Sequence, residues 1–185
     1  MNIKTTYAEW LPIAKIAGYK LQTYTRPEKV GKYVVPETFN ELTIGQVMEL
    51  SSLGTEDDAV EGVCRVVLGM TPDEVRGARA VDVVRFAGWA MAELAKINEL
   101  FKAAQIEPTA EERRAGIASL NFGLFGMIDW YAQRMGIHDH DEVLGVNWMR
   151  VYKCVDMDNK KTIYQRRLQE VVQNEYRRKN SSRSR

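Results

Sequence analysis

Residue types typical of catalytic or disulfide-bonded proteins are scarce in this 185-residue chain. Its two cysteines, Cys64 and Cys154, both fall in apolar patterns of helical spacing, and we interpret them as reduced core residues of a cytoplasmic protein. With only two histidines, acid–base chemistry would have to rest on carboxylates. There is no GxSxG, P-loop, HExxH or GxGxxG motif. We therefore expect no enzymatic activity and no cofactor.

Long hydrophobic runs are missing as well. No stretch reaches the roughly 18 apolar residues of a membrane span, so we expect no membrane association. Residues 1–17 lack the apolar segment of a secretory signal, so we expect the protein to stay where it is made. The chain does have 45% hydrophobic residues, which is enough to build a hydrophobic core.

Charge is balanced overall but unevenly placed. The net charge is +1, whereas the last nine residues hold five basic residues and no acidic residue. The rest of the chain is therefore at −4. A basic tail without interleaved aromatics gives only nonspecific, salt-sensitive attraction, so a solubility tail is favoured over nucleic-acid binding.

Helix-capping signals punctuate the chain from residue 43 onward. A Thr followed three residues later by Gln, Asp or Glu is typical of a helix N-terminus. This pattern predicts helix starts at Thr43, Thr55, Thr71 and Thr109. Glycines fit the position after a helix end at Gly69 and Gly136.

Apolar spacing predicts two long helices in the middle of the chain. From Val83 to Ala104 apolar residues recur at alternating steps of four and three, which predicts a helix over about Ala80–Gln105. A second helix is predicted over about residues 110–135. Because residues 117–128 carry no charge, and glycines at 116, 123 and 126 would allow close approach, we expect this helix to be the most buried. The two helices are predicted to pack as an antiparallel core pair.

Helical patterns continue to residue 178. Asp139 is predicted to cap a helix whose stripe comprises Leu144, Trp148, Val151 and Val155. Residues 156–161 are polar and fit either a turn or a continuation. A further helical face is formed by Tyr164, Leu168 and Val171.

These patterns predict an all-α fold, with about six to seven helices in a compact domain over residues 41–178. Residues 1–40 are predicted to form an irregular arm, since Pro12 limits a helix over residues 7–17 to one or two turns. Residues 19–35 fit a short hairpin or an ordered arm. Residues 179–185 are predicted to be a disordered basic tail. The apolar supply is generous for one small domain, so a homo-oligomer is compatible with the sequence.

Two segments carry metal-ligand residue types. Residues 138–141, His-Asp-His-Asp, stand at a predicted helix start, where the spacing does not place both imidazoles on one face, so we favour helix capping. Residues 156–159 are similar to the opening of a calcium loop, but Lys161 and Arg167 stand where Gly and Glu are required. We predict no metal site. Asp129, within an apolar run, is interpreted as a satisfied buried acid or an interface residue.

Two segments together resemble the phage tail assembly chaperones, which are small helical proteins encoded in phage and prophage tail-assembly regions. Residues 36–46, P-E-T-F-N-E-L-T-I-G-Q, are similar to their opening pattern P-x-x-F/W-x-E-L-T-x-x-Q. The run Asp141–Tyr152, followed by Tyr164–Leu168, resembles their C-terminal part, in which a short helix leads to a Trp and then to a charged helix. The resemblance covers roughly residues 36–170.

The resemblance implies a non-enzymatic protein that binds the long, helical, aggregation-prone tape measure protein in the host cytoplasm and keeps it soluble during tail assembly. Such chaperones are often made in two lengths by ribosomal frameshifting, so the tail from Arg178 onward is also read as the junction to a longer form. Two alternatives stay open. One is a structural virion protein, such as a connector or tail-completion subunit, and the other, ranked a distant third, is a small nucleic-acid-binding protein.

Aromatic and apolar side chains are the expected partner contacts. Most tryptophans in predicted helices are interpreted as core, although aromatics also anchor interfaces. Trp10, in the irregular arm, is assigned to packing of that arm or to a partner. The partner-binding candidates are Trp10, Phe39, Trp130, Trp148, Tyr152, Tyr164 and Leu168.

Overall fold

The computed structural model describes residues 4–120 and 122–183, and the all-α prediction is confirmed, since these residues are mostly helical. Nine α-helices and one two-stranded hairpin occur among the described residues. The elements are α1 (Tyr7–Ile16), β1 (Lys29–Val30), β2 (Tyr33–Val34), α2 (Ile44–Ser51), α3 (Glu56–Leu68), α4 (Pro72–Gly77), α5 (Ala80–Ala104), α6 (Ala110–Arg114), α7 (Gly123–Met135), α8 (His140–Leu144) and α9 (Trp148–Arg183). A short 3-10 turn, Ile117–Leu120, lies between α6 and α7. More helices form than the six or seven predicted, because α1 is regular and the predicted helix over 110–135 is divided.

The first helix is longer than the sequence predicts. Its N-cap, Thr6, forms a capping box with Glu9, and the helix continues through Pro12 for ten residues. Pro12 removes one helical hydrogen bond, to the carbonyl of Ala8, and Ala8 is exposed, so water can satisfy that group. The helix is tied to the body, since the backbone N–H of Tyr7 donates to the carbonyl of Ala78 at 2.8 Å.

Of the two alternatives predicted for residues 19–35, a short hairpin or an ordered arm, the hairpin is present. Strands β1 and β2 pair in antiparallel register, with Val30 opposite Tyr33. Buried side chains from residues 1–40 belong to the same hydrophobic core as the helices: Tyr7, Val30, Val35 and Phe39. Packing is therefore continuous across residue 40, and the domain boundary placed there stays a prediction.

The core is centred on α5, whose buried residues run from Ala80 to Ile97. Its main helical neighbour is α3, not the segment 116–135. The predicted antiparallel pairing of Ala80–Gln105 with Gly116–Met135 is therefore wrong. The predicted caps are confirmed at Thr43, Thr55, Thr71 and Thr109, with Gly69 and Gly136 closing α3 and α7 in the left-handed conformation.

The single helix predicted over residues 110–135 is also wrong. Gly116 and Gly123 adopt left-handed backbone conformations, with φ of +85° and +57°, and these break the helix. Residues 117–120 and 122 between them are exposed rather than central, and in α7 only Ile128, Tyr131 and Ala132 are buried. Of the three glycines expected to let helices approach, Gly116 and Gly123 instead separate α6 from α7, and Gly126 lies within α7.

The C-terminal helix begins with a tertiary contact. Asp139 caps α8 as predicted, but α8 ends at Leu144 and the continuous stripe predicted from Leu144 to Val155 is interrupted. Residues 43 and 147 form an isolated antiparallel bridge, in which Ile44 N–H donates to Val146 O at 2.7 Å. From Trp148 onward α9 is one helix through residues 156–161 and on to Arg183, so the continuation interpretation of that polar segment is correct.

Disorder of residues 179–185 stays a prediction, and residues 184 and 185 lie outside the described part of the chain. None of the helices in the described ranges combines the length and apolar character needed to cross a bilayer.

Candidate functional site: a groove between four helices

A groove of about 680 Å³ lies between α2, α5, α7 and α9. Its lining is mostly apolar, with polar side chains contributed mainly by α5 and α9. The lining residues are Ile44, Val47 and Ser51 of α2; Asn98 and Phe101 of α5, with Gln105 just after it; Gly123, Leu124, Gly126, Met127 and Trp130 of α7; and Val155, Asp158 and Asn159 of α9. The size lies within the range of ligand-binding clefts in proteins.

The wall formed by α7 is fixed by an ion pair to α9. The guanidinium of Arg134 donates to the carboxylate of Asp158, and this hydrogen bond raises the pKa of Arg134. The same guanidinium lies 5.7 Å from the ring centre of Trp130, a cation–π distance. These contacts hold Trp130 in place along the groove.

The wall formed by α9 is anchored to the end of α5 and to α6. The Asn159 side-chain amide donates to the carbonyl of Ala104 at 2.6 Å. Two turns later, Arg166 donates to the carboxylate of Glu112 at 2.8 and 3.0 Å and to the carbonyl of Glu107 at 3.1 Å. The groove is therefore bounded by elements that are held together by polar contacts.

Large apolar side chains stand exposed just before α7 and in its first turn. We call them the apolar ridge, and they are Ile117, Leu120, Phe122, Leu124 and Phe125, each 37–68% exposed. Leu124 belongs both to this ridge and to the groove lining, so the two surfaces are continuous. Several large exposed apolar side chains within nine residues are a candidate interaction site.

Sequence reasoning missed the ridge because it assigned residues 117–128 to the core. The uncharged run itself does not distinguish exposed residues from buried ones. An uncharged run that begins and ends near glycines is as compatible with an exposed loop as with a buried helix. The left-handed conformation of Gly116 and Gly123 decides between these two interpretations.

Two predicted partner-binding residues are buried and offer no accessible surface. Phe39 is 2% exposed and Trp148 is 4% exposed. The indole N–H of Trp148 donates to the carbonyl of Phe39 at 2.8 Å, which joins the start of α9 to the segment before α2. Their role in the structure is to hold α9 against the core.

The other predicted partner-binding residues are accessible in different places. Trp130 lines the groove, whereas Tyr152 is half-buried with its ring 5.5 Å from that of Phe101. Trp10 is half-buried and lies edge-on to Tyr19, with ring centres 5.0 Å apart. The remaining two stand exposed further along α9: Tyr164 and Leu168. The structure thus places one predicted residue, Trp130, directly in the groove.

The histidine-rich segment serves helix capping and packing. Asp139 accepts a hydrogen bond from the backbone of Asp141, and His140 Nε2 lies 3.2 Å from Asp129 Oδ1. Asp129 also accepts from Gln133 at 2.6 Å, so it is satisfied, but it is partly exposed rather than buried. Among the described residues no group of three metal-ligand side chains is close enough to hold an ion.

No protein family, curated protein or solved structure matches this chain in the comparisons. Function is therefore inferred from the chemistry of the groove and the apolar ridge.

Proposed function

We propose that the protein is a non-enzymatic phage tail assembly chaperone that binds apolar helical segments of a tape measure protein in the host cytoplasm and keeps them soluble. The observation that carries the proposal is the apolar groove between four helices, continuous with the exposed apolar ridge. The similarity of residues 36–46 to the opening pattern of such chaperones supports the same role.

The groove suits the apolar face of an amphipathic helix. In helix-in-groove recognition, side chains spaced three and four residues apart enter an apolar cleft while the polar face stays in water. Met127 is flexible and polarizable, so it can adapt to different apolar side chains. The polar groups of Ser51, Asn98 and Gln105 can hydrogen-bond to the polar flanks of a bound helix.

Co-expression tests the proposal. The protein, tagged, is produced together with the long coiled-coil product of a neighbouring gene, and the amount of partner that co-purifies is measured. Leu124→Asp places a charge where the groove meets the ridge, and we expect at least a tenfold loss of co-purified partner, since burying a charge is strongly unfavourable.

Val34→Asp is the matched control. Val34 is 68% exposed on the hairpin and does not line the groove, so this variant should retain the partner. Circular dichroism of both variants should be that of the unchanged protein. Full retention of the partner by Leu124→Asp, or its loss in both variants, would count against the groove as the binding site.

A structural virion protein is the alternative function, because an ordered arm over residues 1–40 could interlock with neighbouring subunits. Because Tyr7, Val30 and Phe39 pack into the core, residues 1–40 give that alternative less support. Mass spectrometry of purified virions separates the two roles, since a chaperone should be absent and a structural subunit present.

A further inference from the structure

A second apolar surface lies on α9, beyond the groove. Met157, Tyr164, Leu168 and Val171 follow one another at steps of seven, four and three, which places them on one face of the helix. They are 47–65% exposed. We call this set the α9 stripe.

The α9 stripe points away from the rest of the molecule. Among the contacts that anchor α9 along this stretch are those of Asn159 and Arg166, together with Val155 in the groove. At 3.6 residues per turn these three residues lie on the side of the helix opposite the stripe. The stripe is therefore a face that the described part of the chain leaves uncovered.

The part of the chain that contains this helix is strongly basic. Residues 148–185 hold eleven basic and four acidic residues, a net charge of +7, so residues 1–147 carry −6. If the stripe is read as a heptad, Leu168 is at an a position and Tyr164 and Val171 are at d positions. Lys160 and Arg167 then occupy the flanking g positions, which in a helix pair face charged residues of the partner.

We propose that the α9 stripe pairs with an amphipathic helix of another protein whose positions flanking its apolar face are acidic. Opposite charges at these flanking positions select partners in coiled coils. This surface is separate from the groove and does not depend on the function proposed for it.

A second copy of the chain fits the α9 stripe less well than an acidic helix does. In an antiparallel pair the g positions face each other, so Lys160 and Arg167 would meet their own counterparts and repel. In a parallel pair they would face the e positions, where Gln165 and Val172 provide no negative charge. A helix with Glu at its flanking positions provides complementary charges in either orientation.

The test uses two designed peptides of about four heptads with Leu at a and d. One carries Glu at every e and g position and the other carries Lys, so each repels itself and needs a partner of opposite charge. Fluorescence anisotropy of the labelled peptide measures binding to the full-length protein. We expect the Glu peptide to bind at least tenfold more tightly than the Lys peptide, with an affinity that falls as salt rises.

Substitutions assign the binding to the stripe. Leu168→Asp should weaken binding of the Glu peptide at least tenfold, and the double variant Lys160→Glu with Arg167→Glu should reverse the preference toward the Lys peptide. Val34→Asp, on the hairpin and away from both surfaces, should leave peptide binding unchanged. These residues are exposed, so the variants should keep the circular dichroism of the unchanged protein.

Several results would overturn the inference. Equal affinity for the two peptides would show that charge does not select the partner, and loss of binding in Leu124→Asp would place the peptide in the groove. A dimer of the protein alone that dissociates in Leu168→Asp, seen by sedimentation, would make a second copy the occupant. Binding of duplex DNA that is unaffected by Leu168→Asp, with no binding of the Glu peptide, would make α9 a nucleic-acid contact.

Discussion

At Gly88, helix α5 lies very close to the segment before the hairpin. A Cβ atom at this position would lie 1.9 Å from the carbonyl oxygen of Gln22 and 2.6 Å from the ring of Tyr24. Gly88→Ala must therefore displace backbone. Overpacking of this kind costs about 1–3 kcal/mol, so we expect a loss of that size in the free energy of unfolding, measured by urea denaturation.

Gly77→Ala provides the control for this prediction. Gly77 ends α4 and has open space around the position of a Cβ. Because Ala is the better helix former, this variant should be neutral or slightly stabilising. If both substitutions leave the urea midpoint unchanged, the close approach at Gly88 is not a feature of the folded protein.

Glu74 should make stability depend on pH in the acid range. Its carboxylate accepts hydrogen bonds from Lys32 at 2.7 Å and from the backbone of Thr71 at 2.9 Å, and these lower its pKa from 4.5 to about 2. A depressed carboxyl pKa adds stability above pH 4.5 that is lost as pH falls toward 2. Glu74→Gln should therefore be less stable than the unchanged protein at pH 7, and the difference should shrink between pH 4.5 and 2.

Urea unfolding at a series of pH values measures this difference. Glu99→Gln is the control, because Glu99 makes only an exposed ion pair with Lys102 at 3.6 Å. Exposed pairs of this kind contribute little, so this variant should track the unchanged protein. A constant gap between Glu74→Gln and the unchanged protein down to pH 2 would contradict the assignment.

At the scale of elements, Arg166 connects α9 to α6 and to the segment after α5. Removing its side chain in Arg166→Ala breaks the two hydrogen bonds to Glu112 and the one to Glu107. We expect a loss of about 1 kcal/mol in unfolding free energy, since the charge pair is only partly shielded from water. Local unfolding around α6 should become more frequent by a larger factor than global unfolding. Amide hydrogen exchange over residues 105–115 should therefore accelerate.

The adjacent Arg167→Ala is the comparison, because Arg167 lies on the exposed side of the same helix turn. Arg167→Ala changes helix propensity by the same amount as Arg166→Ala, but it removes no contact with Glu112. Equal exchange rates over residues 105–115 in the two variants would show that Arg166 does not hold α6.

Helix starts were predictable because a cap is a local device. Thr43 and Gln46 bond to each other's backbone within one turn, so their pairing is visible in four consecutive residues. The break between α8 and α9 is different in kind. It depends on the bridge between residues 43 and 147 and on the backbone N–H of Trp148, which donates to the carbonyl of Leu42 at 3.2 Å. These partners are about 100 residues apart in sequence, so no local sequence pattern predicts the contacts.

At the scale of the whole molecule, the fold class followed from the sequence but the groove did not. Its walls come from residues 44–51, 98–105, 123–130 and 155–159, which meet only through tertiary packing. Trp130 was a correct candidate because a large aromatic among apolar residues marks either a core or an interface. Phe39 and Trp148 are also large aromatics among apolar residues, but they are core residues. Only their burial in the structure distinguishes them from an interface residue such as Trp130.

Charge is also organised at this scale. The acidic part, residues 1–147, and the basic part, residues 148–185, differ by 13 units of formal charge, although the whole chain is nearly neutral. The net charge of the chain therefore does not reveal that acidic and basic residues are concentrated in different parts. This separation becomes visible once the start of α9 is known. An electric field of this form orients an approaching charged helix before any contact is made.

The course of α9 has a consequence for valency. One helix supplies a wall of the groove with Val155, Asp158 and Asn159, and on its opposite face it carries Tyr164, Leu168 and Val171. Because these two surfaces lie on opposite sides of one helix, two partner helices can bind at once without competing for space. For a long partner with many amphipathic segments, the second attachment becomes intramolecular, so weak individual contacts add up to strong avidity.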